Sequence, residues 1–288
     1  MASLLYETFS PLLNLLPERA RILSVFLLKH RRWPRIESPR SFSELLQWRK
    51  LYDRNPLFPK MADKIGVKGL IADRERILKV PQTLWQGSRL SDFCAEAMPA
   101  NYVLKASHAS GTNYIVRNGA HPSQDLLVTL EKKWSRVDVA KTYVEWGYEN
   151  VPVQYFAEEF LDFGTDVPID YKLWVFSGRV EFVQVDVGRF GDHQRSFFDR
   201  NWNVLDFLLT YPGISKPITC PSNMNSMIDI AERLAKDVDY LRIDFYSNDV
   251  DVFFGEITMY PGSGYEKFSP VEADFRIGEM WDRSRVSS

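Results

Sequence analysis

The sequence predicts an α+β protein, and three observations carry this. Short strands come in pairs across tight polar or glycine turns, at residues 102–107 with 114–117, 171–176 with 180–187, and 241–246 with 252–258. Helix-period stretches stand apart from these pairs, at 41–51, 124–134 and 227–238, the first and last with start signals of their own. The chain has 288 residues, 45% of them hydrophobic, which is enough for one large domain or two with ample core.

The bulk composition excludes several classes. A net charge of -2 gives no basis for a nucleic-acid partner. The 19 Phe, 13 Tyr and 8 Trp suit strand-rich packing. Two cysteines, Cys94 and Cys220, lie far apart and show neither metal spacing nor a disulfide framework, as expected in a reducing cytosol. No apolar run reaches the roughly 20 residues that span a bilayer. The start lacks a basic leading region and carries Glu7 and Glu18, so it does not read as a signal peptide. A cytoplasmic protein is expected.

Residues 1–35 read as one or two amphipathic helices ending in the basic cluster Lys29, His30, Arg31, Arg32 and in Trp33. Such a face suits the inner face of the cell membrane or a partner. It equally suits packing on its own domain, the commoner use of an amphipathic helix. Ser41 with Glu44 makes a capping box, so a helix starts there. Residues 61–72, MADKIGVKGLIA, read as a helix with Lys64 and Lys68 on one face; a solvated face is the alternative. A short strand follows Pro81 at 82–85.

The segment YVLKAS at 102–107 is a strand whose Lys105 must be paired or face a ligand. The polar loop HASGTN at 108–113 leads to a second strand. Backbone N–H groups of such a loop can point at phosphates, with Gly111 allowing close approach. It is not a Walker motif, which requires GxxxxGK[ST] before a helix. Residues 153–161, with AEEFL, read as a strand. The DFG at 162–164 lacks the glycine-rich loop and HRD segment of a kinase and is taken as chance. The hairpin 171–176 with 180–187 turns at Ser177–Gly178 and carries Lys172. Arg189, His193 and Arg195 form a basic loop able to hold an acidic substrate or a terminal phosphate, although a histidine in a polar loop is more often only a surface residue. A helix at 227–238, capped by Ser226, leads into the last hairpin.

That hairpin, LRIDFYSNDVDVFFGEITMYPGSG, is the richest stretch. Alternation puts Arg242 and Asp244 on one face, and Phe254, Glu256 and Thr258 on one face of the partner strand. Converging oxygens of this kind hold Mg²⁺, which prefers to bridge to substrate phosphates. The arginine can hold charge that develops in a transition state. A solvated hairpin face is the alternative. The turn at Tyr260, Gly262 and Gly264 lets a substrate backbone approach, or is an ordinary turn.

Taken in order, FSELLQWRKLYD, ADKIGVKGLI, YVLKASHASGTNYIV, AEEFL, DYKLWVFSGRVEFVQVD and LRIDFY…FGEITMYPGSGYEKFSP resemble the ATP-grasp superfamily. More narrowly, the chain resembles the TupA-like (teichuronopeptide biosynthesis) proteins of bacterial polysaccharide gene clusters, over roughly residues 40 to 280. The resemblance implies two α+β subdomains gripping ATP between antiparallel sheets, preceded by N-terminal helices. It divides the chain into a helical segment 1–50, an α/β part 51–100, a small subdomain 101–165 and a metal-bearing subdomain 166–288. Lys64, Lys105 and Lys172 would contact ATP. The loop from Ser107 through Ser110, Gly111 and Thr112 would close over the phosphates. Glu158, Glu159, Phe160 and Leu161 would be the adenine hinge, and Asp166 or Asp170 would hold the ribose. Asp244, Glu256 and Thr258 would bind Mg²⁺, and Arg242 would stabilise phosphoryl transfer and the tetrahedral state. Two departures stand out: Thr258 replaces an Asn common in the superfamily, and the loop is poor in glycine.

The implied activity is an ATP-dependent carboxylate–amine ligase acting through an acylphosphate, joining an amino acid and a uronic acid or glycan component. A sugar phosphotransferase and a nucleotide-binding scaffold are the other two readings.

Overall fold

The computed structural model describes residues 13, 15–164, 168–188 and 191–285. Two expected site residues, Asp166 and Arg189, lie outside them, as do residues 1–12 of the expected N-terminal helices.

Among the described residues, three antiparallel sheets form. The first has four strands in the order β1-β4-β2-β3: β1 Thr83–Gly87, β2 Tyr102–Ala106, β3 Asn113–Val116 and β4 Tyr155–Glu159. Because β1 pairs with β4, the division drawn at residue 101 falls inside this sheet. Helix Gln124–Trp134, capped by Ser123, covers one face, burying Leu127 and Trp134 against Leu104 and Tyr155. The second sheet has five strands in the order β10-β9-β5-β6-β7: β5 Asp170–Phe176, β6 Arg179–Val187, β7 Gln194–Phe198, β9 Tyr240–Ser247 and β10 Val252–Thr258. A third, two-stranded sheet pairs β8 Leu208–Leu209 with β11 Phe268–Ser269.

Period-two alternation gives the five-stranded sheet two unlike faces. Leu173, Val175, Val183, Val185, Ile243 and Phe245 point to one face, packed on helix Met224–Leu234. The opposite face is aromatic at one end, where Trp174, Phe176, Phe182 and Tyr240 pack against Phe42 and Leu46 of helix Phe42–Tyr52. At its other end the same face carries Lys172, Asp244, Gln184 and Asp186. The Ser41–Glu44 capping box forms, and the helix it starts, at the end of the expected helical segment 1–50, packs on the five-stranded sheet.

Several elements differ from expectation. The helix expected at 61–72 is two pieces, Phe58–Ala62 and Gly66–Arg74. Between them Asp63 Oδ1 accepts the Ile65 N–H at 3.0 Å, a side-chain turn that competes with the helical ladder. The helix expected at 227–238 runs Met224–Leu234, with Asn223 at its start and no side-chain cap from Ser226. The basic loop containing Arg195 is strand β7 from Gln194 onward. Phe254 is not on the face of Glu256. The register shifts between them, so Phe254 opposes Phe245 in the apolar core while Glu256 opposes Asp244. Gly255 is the bulge residue; a Cβ there would stand 2.8 Å from the Asp244 carbonyl oxygen. The turn at Ser177–Gly178 forms with φ of 52° and 80°, as a two-residue hairpin requires.

Helix Glu18–His30 buries Ile22, Val25 and Phe26, with Ile22 packed on Ile36 and Val144. Its apolar face is therefore covered within the chain, and His30 Nε2 meets the Gly264 carbonyl at 3.0 Å. No helix among the described residues is long and apolar enough to cross a membrane.

Candidate active site

The site grows from the seam between the two larger sheets. On the four-stranded side, β2 carries Lys105 and its neighbour β4 carries Glu158, whose carboxylate bonds Lys105. The other Glu158 oxygen lies 2.7 Å from Lys68 Nζ. Lys68 also donates to Pro81 O at 2.7 Å and to Thr83 Oγ1 at 3.0 Å. The helix break at Asp63 frees Lys64 from that face, and its ammonium donates to the Ala109 carbonyl in the small-residue loop. Lys105 and Lys68 thus hold one carboxylate between them, and Lys64 stands near enough to feel its charge. Burial pulls the Lys64 ammonium down, and the Glu256 and Glu158 charges oppose this. Burial pushes Glu158 up, but Lys105 and Lys68 outweigh it and hold the carboxyl below its ordinary range.

On the five-stranded side, register puts Glu256, Asp244, Lys172 and Gln184 in one row. Arg242 Nε donates to Asp244 Oδ1 at 2.7 Å and Nη2 to Oδ2 at 2.9 Å. Lys172 Nζ donates to the same Oδ2 at 2.6 Å and also bonds Asp170. Arg242 Nη2 reaches Thr258 Oγ1 at 3.1 Å. Burial pushes Asp244 up, and the two cations overcome it, so the carboxyl stays below its ordinary range. Glu256 differs: beyond the strand ladder that pairs it with Asp244, its side chain makes no hydrogen bond or ion pair among the described residues.

Two cavities meet here. A smaller one of about 180 Å³ is lined by Lys64, Lys68, Lys105, Glu158, Asp170 and Asp244, among others. A larger one of about 580 Å³ is lined by Arg242, Thr258, Tyr260, Gly262, Glu145 and Glu266, among others. Ser110, Gly111 and Glu256 line both.

The model of the TupA-like ATP-grasp family matches residues 44–282. The chain belongs to the TupA-like ATP-grasp family. Among solved structures it is similar to D-alanine–D-alanine ligase from Bacillus anthracis, at 18% identity and a TM-score of 0.40, covering 69% of this chain and 56% of that one. It is similar to D-alanine–D-alanine ligase from Helicobacter pylori, at 15% identity and a TM-score of 0.43, covering 82% of this chain and 66% of that one. It is also similar to the ATP-grasp ligase PsnB, solved with a phosphomimetic variant of its minimal precursor, Mg and ADP, at 15% identity and a TM-score of 0.41. That match covers 82% of this chain and 67% of PsnB. The chain thus spans little more than half to two thirds of the length of these structures. No curated protein matches it.

With the ATP-grasp frame in place, the expected residues sort themselves. Lys64, Lys105, Ser110, Gly111, Glu158, Asp170, Asp244 and Glu256 come together in the smaller cavity. Lys172 lies one layer beneath, buried in the sheet, and reaches the site through Asp244. Ser107 and Thr112 are buried in the loop's own framework, donating to Pro152 O at 2.8 Å and Ala109 O at 3.3 Å. Glu159 closes β4, its N–H donating to Gln82 O at 3.0 Å, and Phe160 lies under the Arg117 guanidinium. Leu161 follows, on the chain that runs to the second sheet.

Arg195 is buried, with Nε 2.6 Å from Asp186 Oδ1 and Nη1 3.0 Å from Glu266 Oε1. His193 stacks on Tyr211 at 3.7 Å and lies 3.4 Å from Asp186. Gly264 serves packing, because a Cβ there would meet Leu46 Cβ at 2.9 Å. Sequence reasoning missed Glu145, Ser263 and Glu266 in the larger cavity. Lys68 was legible as the partner of Lys64 on one helix face; the helix break sends the two to different partners.

Proposed function

We propose that this protein is an ATP-dependent carboxylate–amine ligase acting through an acylphosphate. The observation that carries the reading is the pair of cavities joined at Ser110, Gly111 and Glu256. A lysine-rich compartment suits a nucleoside triphosphate; a larger, tyrosine- and carboxylate-lined one suits the acceptor; the junction is where a terminal phosphate would lie.

Lys64, Lys68 and Lys105 would neutralise the phosphates, and the backbone of Ser110 and Gly111 would cover them. Asp244 and Glu256, opposite each other in register, fit a cation that keeps waters and phosphate oxygens for the rest of its shell. Among the described residues no group of three His, Cys, Asp or Glu side chains could hold a metal unaided. Glu256 is open to such an ion, whereas Asp244 would share its oxygens with Arg242 and Lys172. Mg²⁺, when bound there, supplies charge neutralisation between the phosphates. Arg242, pinned by Asp244, faces the larger cavity and is placed to hold the oxyanion of the tetrahedral adduct.

In the reaction the substrate carboxylate attacks the γ-phosphorus, ADP leaves, and an amine displaces phosphate from the acylphosphate. Family membership supports an amino acid and a uronic acid or glycan component of a cell-surface polysaccharide as the substrates. The need for ATP supports a cytoplasmic site of action, and both cysteines, Cys94 and Cys220, are free.

The test is ADP release with Mg²⁺–ATP across a panel of amino acids and uronic acids, with hydroxylamine as trap. A hydroxamate supports the ligase and names the carboxylate. ATP consumption giving a phosphorylated sugar and no hydroxamate would replace it with a phosphotransferase.

A further inference from the structure

The larger cavity holds an ionisable group that the steps above leave unused. Glu145 lines it, yet is only 6% exposed. Beside it stands Ser263, buried and at a φ of 55°, a left-handed conformation that costs a non-glycine residue and is kept only where its surroundings enforce it. Here Lys50, which is 0% exposed, donates through Nζ to both Ser263 O and Ser263 Oγ at 2.7 Å. Gln47 Nε2 adds a bond to Ser263 O at 3.1 Å. The Ser263 hydroxyl, held from behind by Lys50, lines the same cavity as Glu145 and acts to lower its carboxyl. Lys50 thus backs Ser263 from inside the protein, and Ser263 and Glu145 both stand at the cavity wall. Burying a carboxylate and an ammonium costs more than an apolar pair would, so packing alone does not account for them.

Resting on the ligase reading of the same cavity, we infer that Glu145 takes the proton from the ammonium of the amine substrate. The acceptor is accordingly an aliphatic primary amine that is protonated at neutral pH, such as the amino group of an amino acid. Tyr143, Tyr148 and Tyr260 line the cavity with Glu145 and suit an ammonium through their ring faces.

The step balances as follows. Glu145 removes one proton from R–NH₃⁺ and frees the nitrogen lone pair. That pair forms the N–C bond at the acyl carbon as the carbonyl π pair moves onto oxygen, facing Arg242. The pair returns, the C–O bond to phosphate breaks, and its electrons leave on phosphate, which takes the second proton from nitrogen. Glu145 then releases its proton to solvent through the cavity.

The electrostatics agree with a base that works near neutrality. Burial pushes the Glu145 carboxyl up to about 7, with Lys50 and Ser263 opposing and Glu256 adding to the rise. Burial likewise brings the Lys50 ammonium down to about 7. Lys29, Tyr143, Tyr148, Arg242, Glu256, Tyr260, Tyr265 and Glu266 are the other ionisable groups facing the same cavity.

The full chain, Glu145→Gln and Ser263→Ala are compared with Mg²⁺–ATP and the carboxylate that yields a hydroxamate. Two acceptors are used: hydroxylamine, largely uncharged at pH 7, and each amino acid of the panel. In the parent, amide formation should fall as pH drops below about 7, because the base must be ionised. Glu145→Gln should lose amide formation by about 100-fold and lose this pH limb while hydroxamate still forms. Ser263→Ala removes a donor to the carboxylate and should move the limb to higher pH, which keeps the inference testable if Glu145→Gln fails to fold. Equal loss with both acceptors, or no loss, overturns the inference; so does an unmoved limb in Ser263→Ala. If the parent itself forms no hydroxamate, the ligase reading fails first, before any variant is compared.

Discussion

At the scale of single residues, the charged row on the five-stranded sheet divides into groups that are saturated and one that is open. Asp244 is held by Arg242 and Lys172, and Asp186 by Arg195, whereas Glu256 has no such partner. Glu256→Gln should therefore leave the fold and ATP affinity nearly intact and lower kcat by about 100-fold, the usual cost of losing one transition-state electrostatic contact; steady-state kinetics would check it. Lys105→Ala should raise KM for ATP by about tenfold, since a hydrogen bond to a charged group contributes about 1.5 kcal/mol. Asp186 supplies a pH prediction. Burial pushes its carboxyl up, but Arg195 outweighs burial and holds it at about 2. Its ordinary value is about 4, so its stabilisation is complete above that pH and is lost as pH falls toward 2. Asp186→Asn should cost about 2 kcal/mol at pH 7 in urea denaturation, and the difference from the parent should narrow below pH 4. Of these groups, Lys105, Asp244 and Glu256 were legible as charges on otherwise apolar strands. Lys68 was legible only as the helix-face neighbour of Lys64, and Glu145 not at all, because their partners come from other segments.

At the scale of elements, two glycines position the site. Gly255 makes the bulge that brings Glu256 opposite Asp244 and returns Phe254 to the core. Strict alternation put Phe254 with Glu256; the local sign of the bulge was Gly255 itself, an isolated glycine inside a strand. Gly264 has a φ of 69° and lies against Leu46, Gln47 and Ser43 of helix Phe42–Tyr52. Gly264→Ala should destabilise by about 2 kcal/mol, through both backbone strain and overpacking, as a lower urea midpoint would show. The helix break at Asp63 works similarly: a continuous helix would have kept Lys64 beside Lys68 instead of under the Ala109 carbonyl.

At the scale of the whole molecule, the two larger sheets enclose the smaller cavity, one supplying Lys105 and Glu158 and the other Asp170, Asp244 and Glu256, with Lys64 and Lys68 added from residues 63–74. A ligand bound at this seam contacts both sheets and stabilises only the folded chain. Mg²⁺–ATP at a hundred times its dissociation constant should add about 2.7 kcal/mol to stability, seen as a rise in Tm. Chelating the divalent ion with EDTA should shrink that rise, and Lys68→Ala should shrink it further by removing one of three phosphate-facing cations. An unchanged Tm with saturating nucleotide would count against the seam as the ATP site.

Alternation, capping and turn chemistry are local, and they let the sequence alone specify the hairpins, the Ser41–Glu44 helix start, and the placing of Arg242 and Asp244 on one face. The order of those parts was enough to place the chain in its family. Burial partners are not local. Lys50 and Ser263 are separated by 213 positions, and Lys172 and Asp244 by 72. Which cation neutralises which carboxylate, and which carboxylate is left facing a cavity, depends on strand register and sheet order. Only the tertiary structure decides those, so it alone brings Glu145, Ser263 and Lys50 together beside Arg242.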